Sequence, residues 1–344
     1  MRCLNFLRMR QEVSTTGTDD FGGERDMPRY DIQFQKGLSL REFMARYGTE
    51  EQCIQAICKA RWPHGFECPE CGSTRNCRLS RGLFQCQDCR KQTSPTAGTI
   101  FQSTKLPLTV WFQAMHLLTQ GKHSVSALEL KRQLGVHYET AWNMKQKILQ
   151  VMLEREAQTV LSGRIEVDDA YMGGERHLGK RGRGAAGKTP FVVAVQTDPE
   201  NPASVLHLRM KALRHVAARD LKPWFEHGFV KGSTILTDGW QAYNFLDEAG
   251  FKHEPHKMPG GWRSAKHPAF PWVNTVLGNL KGNLVGVTRW VSRGHLDRYL
   301  AEFQYRFNRR FDLKSVLSRL LTMAVRTPAM PQPLLKVAWV GRVA

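Results

Sequence analysis

Long apolar runs are missing from this 344-residue sequence: no stretch of eighteen consecutive apolar residues occurs, so a transmembrane helix is not expected. The first ten residues, MRCLNFLRMR, are basic but lack an extended apolar core and a small-residue cleavage site, so no secretory leader is expected either. Acidic residues are scarce, 31 Asp and Glu against 50 Lys and Arg, giving a net charge of +19 and a pI near 9.8. The shortage is uneven: residues 281–344 hold twelve Lys and Arg but only three Asp and Glu. A balance of this kind points to nucleic acid, because neutralising phosphates releases counterions and drives binding. A ribosome-associated protein or an adventitiously basic enzyme is the plainer alternative. With 41% hydrophobic and 24% charged residues the chain is otherwise ordinary for a globular protein, long enough for two or three domains.

Cysteine is present in a pattern. Of eight cysteines, four form two CxxC pairs spaced C-x2-C-x14-C-x2-C: Cys68, Cys71, Cys86 and Cys89. Without a secretory leader, such pairs favour Zn2+ over disulfides. Two redox dithiols would need a βαβ context that the flanks do not offer. Four thiolates close a tetrahedral site with no open position, so the metal is expected to be structural. Cys3, Cys53, Cys58 and Cys77 stand at no ligand spacing.

Turn signals and periodicity divide the chain into a flexible N-terminal segment (1–37), short helices (38–65), the ribbon (66–95), a helical region (105–158), a strand-containing domain (160–312) and a basic C-terminal tail (313–344), whose last part, TPAMPQPLLKVAWVGRVA (327–344), reads as extended or loosely packed. In the helical region SVSALELKRQLG, with Val125, Leu128 and Leu134 on its apolar side, is followed after Gly135 by a second helix. Helix, short Gly-containing turn and helix is the helix-turn-helix pattern; His137, Tyr138, Thr140, Asn143 and Lys147 are its candidate groove contacts. An αα-hairpin that only packs would look the same.

From residue 160 the pattern changes to strands. RIEVDDAYMGG alternates Ile165 and Val167 with Glu166 and Asp168, a strand whose polar face ends in acids. TPFVVAVQTD reads as a central strand, SVLHLRMK alternates again, HVAARDLKPWFEHG is an amphipathic helix, and STILTDGWQAY is a strand ending on Asp238 followed by a helix. Three strands, a helix, a strand and further helices fit an α/β fold of RNase H-like type, with the first three strands antiparallel and the fourth beside the first. There Asp168 and Asp238 converge. Two close carboxylates repel unless a cation lies between them, and Mg2+ or Mn2+ suits oxygen ligands. Taken singly, each Asp reads as a turn or edge-strand residue. The string GRGAAGKT (182–189) matches a P-loop but is followed by Pro190 and a strand instead of a helix, so it reads as a basic loop with Arg176, Lys180, Arg181, Arg183 and Lys188.

PWVNTVLGNLKG (271–282) opens a further helix. Asn274 and Lys281, seven apart, share a face, and Asn274 stands where a third carboxylate would be wanted. Glu302 and Asp169 are candidates to supply a missing negative charge. In HLDRYLAEFQYRFNRR, Leu296, Leu300, Phe303 and Phe307 are core candidates, with Arg306, Arg309 and Arg310 on the other side.

The four-Cys ribbon, SALELKRQLGVHYETAWNMKQKI, IEVDDAYMGG, GKRGRGAAGKTP, LTDGWQAY, HPAFPWVNTVLGNLKG and HLDRYLAEFQYRFNRR run in one order from about residue 40 to 310. In that combination the chain resembles the zinc-ribbon subgroup of DDE-type insertion-sequence transposases. The resemblance implies an RNase H-like catalytic domain that uses Mg2+ or Mn2+ to cleave and join double-stranded DNA at terminal inverted repeats, as a homodimer or larger assembly on DNA. It implies a cytoplasmic protein, at the nucleoid when on DNA, with no membrane partner. Asp168 and Asp238 look like the first two metal-binding acids, Asn274 falls where many relatives have Glu and some have His or Asn, and Lys281 looks like the basic residue seven further on. Two other readings share these features: a DNA-binding regulator derived from an inactivated transposase, and a structure-specific nuclease on the same fold.

Overall fold

The computed structural model describes residues 35–173, 187–198, 200–201, 204–257, 267–288 and 291–336. Nearly all of the N-terminal segment (1–37), and Arg176, Lys180, Arg181 and Arg183 of the basic loop, lie outside the described residues. Thr189, the last residue of the P-loop-like string, opens a strand, as a hairpin reading requires.

The N-terminal helices start where capping chemistry tells them to. Ser39 caps α1 (Leu40–Tyr47) and Thr49 caps α2 (Glu50–Arg61), each in a reciprocal capping box with the residue three positions on. The helix α3 (Leu108–Gln120) has no side-chain cap of its own. Glu50 at the start of α2 supplies one, accepting the Leu108 N–H at 2.8 Å. Ser126 caps α4 (Ala127–Leu134), Gly135 ends it in the left-handed region at φ +67°, and α5 (Tyr138–Ala157) follows. Between α2 and α3 the ribbon is a three-stranded antiparallel sheet, β1 (Asn76–Arg78), β2 (Phe84–Cys86) and β3 (Gln92–Thr93), backed by Trp62, Phe66 and Phe84.

The second half is a five-stranded mixed sheet in the order β6-β5-β4-β7-β8. Its members are β4 (Arg164–Met172), β5 (Thr189–Thr197), β6 (Val205–Ala212), β7 (Thr234–Thr237) and β8 (Lys252–Pro255). β4, β5 and β6 are antiparallel neighbours and β7 runs parallel to β4, the RNase H-like arrangement expected from the sequence. The fifth strand, β8, parallel to β7, was not foreseen: KHEP is too short and polar to show a strand period. After Gly239 the chain makes only one 3-10 turn (Gln241–Tyr243), not the expected helix.

Both faces of the sheet are covered, which is why β5 is apolar throughout. Ile165, Val167, Val192, Ala194 and Ile235 pack against α6 (Ala218–Gly228). Phe191, Val193, Val195 and Leu236 pack against α7 (Pro271–Val287) and α8 (Leu296–Asn308). The helix α8 also closes the exposed edge of the sheet: Asp297, Gln304 and Asn308 accept the N–H groups of Ala212, Met210 and Leu208 at 2.6, 3.0 and 2.8 Å. Those donors on every second residue would otherwise invite another strand.

Three expectations need correcting. The described part of the C-terminal tail is built into the fold: α9 (Val316–Ala324) buries Val316, Leu317, Leu320 and Leu321 in one core with α1–α5 and α8, and within the stretch expected to be extended or loosely packed (327–344) α10 (Gln332–Lys336) buries Leu335. The helical region 105–158 therefore shares its core with the C-terminal helices. On α4, Leu130 is the buried residue and Leu128 is 44% exposed, because the helix packs through the centre of its apolar stripe. On α8 and just past its end, Arg309 pairs with Glu156, and Arg306 and Arg310 donate to backbone carbonyls, so these three arginines serve the fold. Among the described residues, no helix is long and apolar enough to cross a membrane.

Candidate active site

The β4–β7 pairing keeps one offset, Arg164 to Thr234, Ile165 to Ile235 and Glu166 to Leu236. Carried two residues further, that offset of 70 sets Asp238 across from Asp168, just past the last residue of β7. Gly239, at φ +74°, turns the chain there, and Asp238 Oδ1 accepts the Trp240 N–H at 3.0 Å. Asp168 Oδ1 accepts the Asp169 N–H at 2.8 Å. One carboxylate oxygen from each of Asp168, Asp169 and Asp238 lies within 4.8 Å of the others. Strand alternation would aim Asp169 at the opposite face, but beyond Glu166 no β7 residue pairs with β4, so its carboxylate can reach round the open edge.

α7 forms the opposite wall. Asn274 and Lys281 line the same cavity of about 680 Å3 as Asp168, Asp169, Tyr171 and Lys188. The Asn274 side-chain nitrogen donates to the Phe270 carbonyl at 2.9 Å, which leaves its amide oxygen to serve as an acceptor or ligand. Of the four sequence candidates, Asp168, Asn274 and Lys281 line this cavity, together with Asp169; Asp238 is not among the lining residues and is linked to them through its carboxylate cluster with Asp168 and Asp169. Glu302 is not part of the site: it is buried between α5 and α8, where it accepts from Ser124 at 2.6 Å and lies 3.8 Å from Lys145.

Glu166 has a role the alternating pattern hid. It is fully buried on the α7 side of β4, and its Oε2 accepts the N–H groups of Trp272 and Val273 at 3.0 and 2.9 Å. Burial pushes its carboxyl above the usual carboxylate range, while those two amides and Arg164 pull the other way. An acid two residues from Asp168 on a strand covered on both faces must have partners indoors, and that was the available signal.

The four ribbon cysteines form the second candidate centre. Cys68 Sγ is 3.5 Å from Cys89 Sγ and Cys71 Sγ is 3.6 Å from Cys86 Sγ, with all four sulfurs within 4.8 Å. A tetrahedron of Zn–S bonds of about 2.3 Å has sulfurs about 3.8 Å apart, so the set fits Zn2+. The two knuckles match: Gly72 and Arg90, each following the second Cys of its pair, have φ of +73° and +61°. Backbone amides pull the Cys68 thiol down and the Cys86 thiol down to about 7, whereas the Cys71 thiol, at about 12, and the Cys89 thiol are raised, so without a cation the four do not all favour the thiolate a metal requires.

An RNase H-like domain with an acidic centre, joined to a four-cysteine ribbon, defines the class. Comparison with known proteins narrows it. Residues 160–308 match the family model of the ISXO2-like transposase domain, and residues 48–92 match that of the transposase zinc-ribbon domain. The chain thus carries a transposase-family domain behind a transposase zinc ribbon, as the motifs implied. It is 26% identical over 275 residues to an uncharacterized protein in transposable element ISH50 of Halobacterium salinarum, a match covering 75% of this chain and 90% of that one. Among solved structures, a pre-cleavage Mos1 transpososome and a Mos1 mariner paired-end complex with Mn are similar at 12% identity, each over 62% of this chain and 77% of that one, with TM-scores of 0.25 and 0.24. The fold assignment rests on the strand order and owes nothing to these two.

Proposed function

We propose that this protein is an insertion-sequence transposase that cleaves DNA strands at terminal inverted repeats and joins the freed 3′ ends to target DNA. What carries the reading is the cluster of three carboxylates within 4.8 Å, from Asp168 and Asp169 in the middle of β4 and Asp238 just past the end of β7, with Asn274 and Lys281 sharing one open cavity with Asp168 and Asp169. Carboxylates that close repel one another without a cation, and an all-oxygen donor set fits Mg2+ or Mn2+. Asp168 and Asp238 would hold it, with the Asn274 amide oxygen as an uncharged ligand and Asp169 adding negative charge. Such a cation, when bound, lowers the pKa of water or a 3′-hydroxyl and offsets charge on the phosphate. Lys281, exposed on the cavity wall, neutralises a phosphate oxygen and holds the strand in the cleft, and Lys188 does the same at its own position. The four cysteines hold Zn2+ and so keep the ribbon folded. The exposed start of α5, with His137 and Tyr138, is offered to the DNA groove. Joining two element ends calls for a dimer or larger assembly on double-stranded DNA, in the cytoplasm.

The rival reading, a regulator that binds DNA without cutting it, draws on one observation: the third position of the site is an uncharged Asn274. Strand cleavage of a labelled duplex carrying the element's terminal repeats separates the two. With Mg2+ or Mn2+ the protein should nick it, and Asp168→Asn and Asp238→Asn should each reduce the rate at least about 1,000-fold while still shifting the duplex on a gel. Residual cleavage by either variant within tenfold of the parent would remove the proposed site.

A further inference from the structure

We propose that Glu166 is a positioning residue that sets Asn274 and Lys281 against Asp168. The inference deepens the transposase reading and rests on it for the chemistry, but its structural basis is separate. The helix α7, which carries Asn274 and Lys281, begins without a cap: its N-cap is Phe270, which makes no side-chain cap bond, and no acid stands in its first turn. Pro271 at its first position has no N–H, so Trp272 and Val273 present the first donors. Val273 is fully buried, and water cannot serve it.

Both donors are taken by one oxygen of Glu166, from a neighbouring strand. Its other oxygen lies 3.3 Å from Arg164 Nη1, which orients the carboxylate from the strand side. A buried carboxylate holding two adjacent amides at a helix start fixes the height of that helix over the sheet and its rotation about its own axis. Glu166 stands two residues before Asp168 on the same face of β4, and its bonds end one residue before Asn274. The strand that bears the acid and the helix that bears the amide and the ammonium are therefore tied together beside the site. Glu50 caps α3 in the same way from α2, but among the described residues Glu166 is the one that does so next to the acidic cluster.

The parent protein is compared with Glu166→Gln, Glu166→Ala and Glu166→Asp, and with Phe225→Leu, which loosens the α6 core on the far side of the sheet. Three quantities are read: amide exchange at Trp272 and Val273, Mn2+ affinity of the DNA-free protein by electron paramagnetic resonance, and cleavage of the repeat duplex. In Glu166→Ala the two amides should exchange at least about tenfold faster. Its Mn2+ affinity should fall about tenfold and its cleavage rate about 100-fold, with duplex binding unchanged. Glu166→Gln keeps an acceptor oxygen for the two amides but turns its NH2 toward Arg164, so it should fall between the parent and Glu166→Ala in all three. Phe225→Leu should lower the melting temperature but leave Mn2+ affinity alone. The proposal is overturned if Glu166→Ala keeps its amide protection, if Glu166→Gln is impaired as much as Glu166→Ala, or if Phe225→Leu reproduces the loss of Mn2+ affinity. Should Glu166→Ala fail to fold, Glu166→Asp decides, since it withdraws the carboxylate by one methylene; parent-like exchange and Mn2+ affinity in that variant would sink the idea. Parent protein that neither binds Mn2+ nor cuts would defeat the transposase reading, while amide exchange would still decide whether Glu166 docks α7.

Discussion

The Lys145 ammonium lies 3.8 Å from the Glu302 carboxylate, and both side chains are 1% exposed. Around them Lys145 donates to the Val125 carbonyl at 2.6 Å, Ser124 donates to Glu302, the Asn283 side chain accepts the Ser124 N–H, and the Arg306 guanidinium acts on both charges. Four segments meet here: the α3–α4 loop, α5, α7 and α8. The network joins the helical region to the helix that carries Lys281. Burial pushes the Lys145 ammonium below its usual range, and Glu302 opposes that shift.

Removing one member of such a pair strands the other. Lys145→Met should destabilise the protein by about 3–5 kcal/mol, because it takes the ammonium from beside the buried Glu302 and leaves it Ser124 and the more distant Arg306. Lys145→Met combined with Glu302→Leu should lose less than half as much, since neither member of the pair is left behind. Urea unfolding of the two single variants and the double variant gives the coupling directly, and additive losses would show that the pair does not act as a unit.

The C-terminal helices offer a second test, because the sequence and the structure assign them opposite weight. Leu320 on α9 is fully buried within the core of the N-terminal helices, whereas Leu128 on α4 is 44% exposed. Leu320→Ala should cost about 2–4 kcal/mol. Leu128→Ala should stay within about 0.5 kcal/mol of the parent. Thermal melts measure both, and equal effects would mean that residues 313–336 are not part of that core.

The ribbon has too little core to fold by itself. Its buried apolar side chains are Phe66, Cys68 and Cys86, with Trp62 and Phe84 packed against them. Structure there should depend on the metal. The purified protein should contain about one zinc per chain. Stripping it with a chelator, or replacing Cys86 by Ser, should raise amide exchange across residues 66–93 and weaken duplex binding, while β4 and β5 stay protected. Loss of protection in β5 on zinc removal would mean that the ribbon and the sheet unfold together.

Where local chemistry decides structure, the sequence was readable. Ser39, Thr49 and Gly135 mark helix ends by capping and by a left-handed turn, and the two CxxC pairs announce their own geometry. The alternation in β4 and the apolar run in β5 place Asp168 and Asp238 side by side once the strand order is known. What stayed hidden depends on partners distant in sequence. Glu166 looked like a solvent-facing acid because its partners, Trp272 and Val273, lie more than a hundred residues on. The acceptors on α8 that close the edge of β6 are ordinary polar residues until that helix lies beside the strand. The basic C-terminal region advertised charge, yet Arg309 and Arg310 spend theirs on Glu156 and on the backbone of β6.

Asn274 returns to the question of whether the site works without a third conventional acid. Its side-chain nitrogen is held by the Phe270 carbonyl and it lines the cavity that Asp168 and Asp169 share, so under the proposed function the oxygen would be the atom to ligate a cation. An amide oxygen ligates a hard cation without charge, and Asp169 contributes negative charge close by. Asn274→Ala should therefore slow cleavage about 100-fold and raise the half-saturating Mg2+ concentration. Asn274→Glu should lower that concentration, because it adds a charged oxygen ligand at the same place on α7. Cleavage measured across a Mg2+ series for the parent and both variants reads these directions. A parent that cuts while Asn274→Ala does not makes the amide a working ligand. A parent that cuts only once Glu is installed at 274 would make the site a decayed one and favour the regulator.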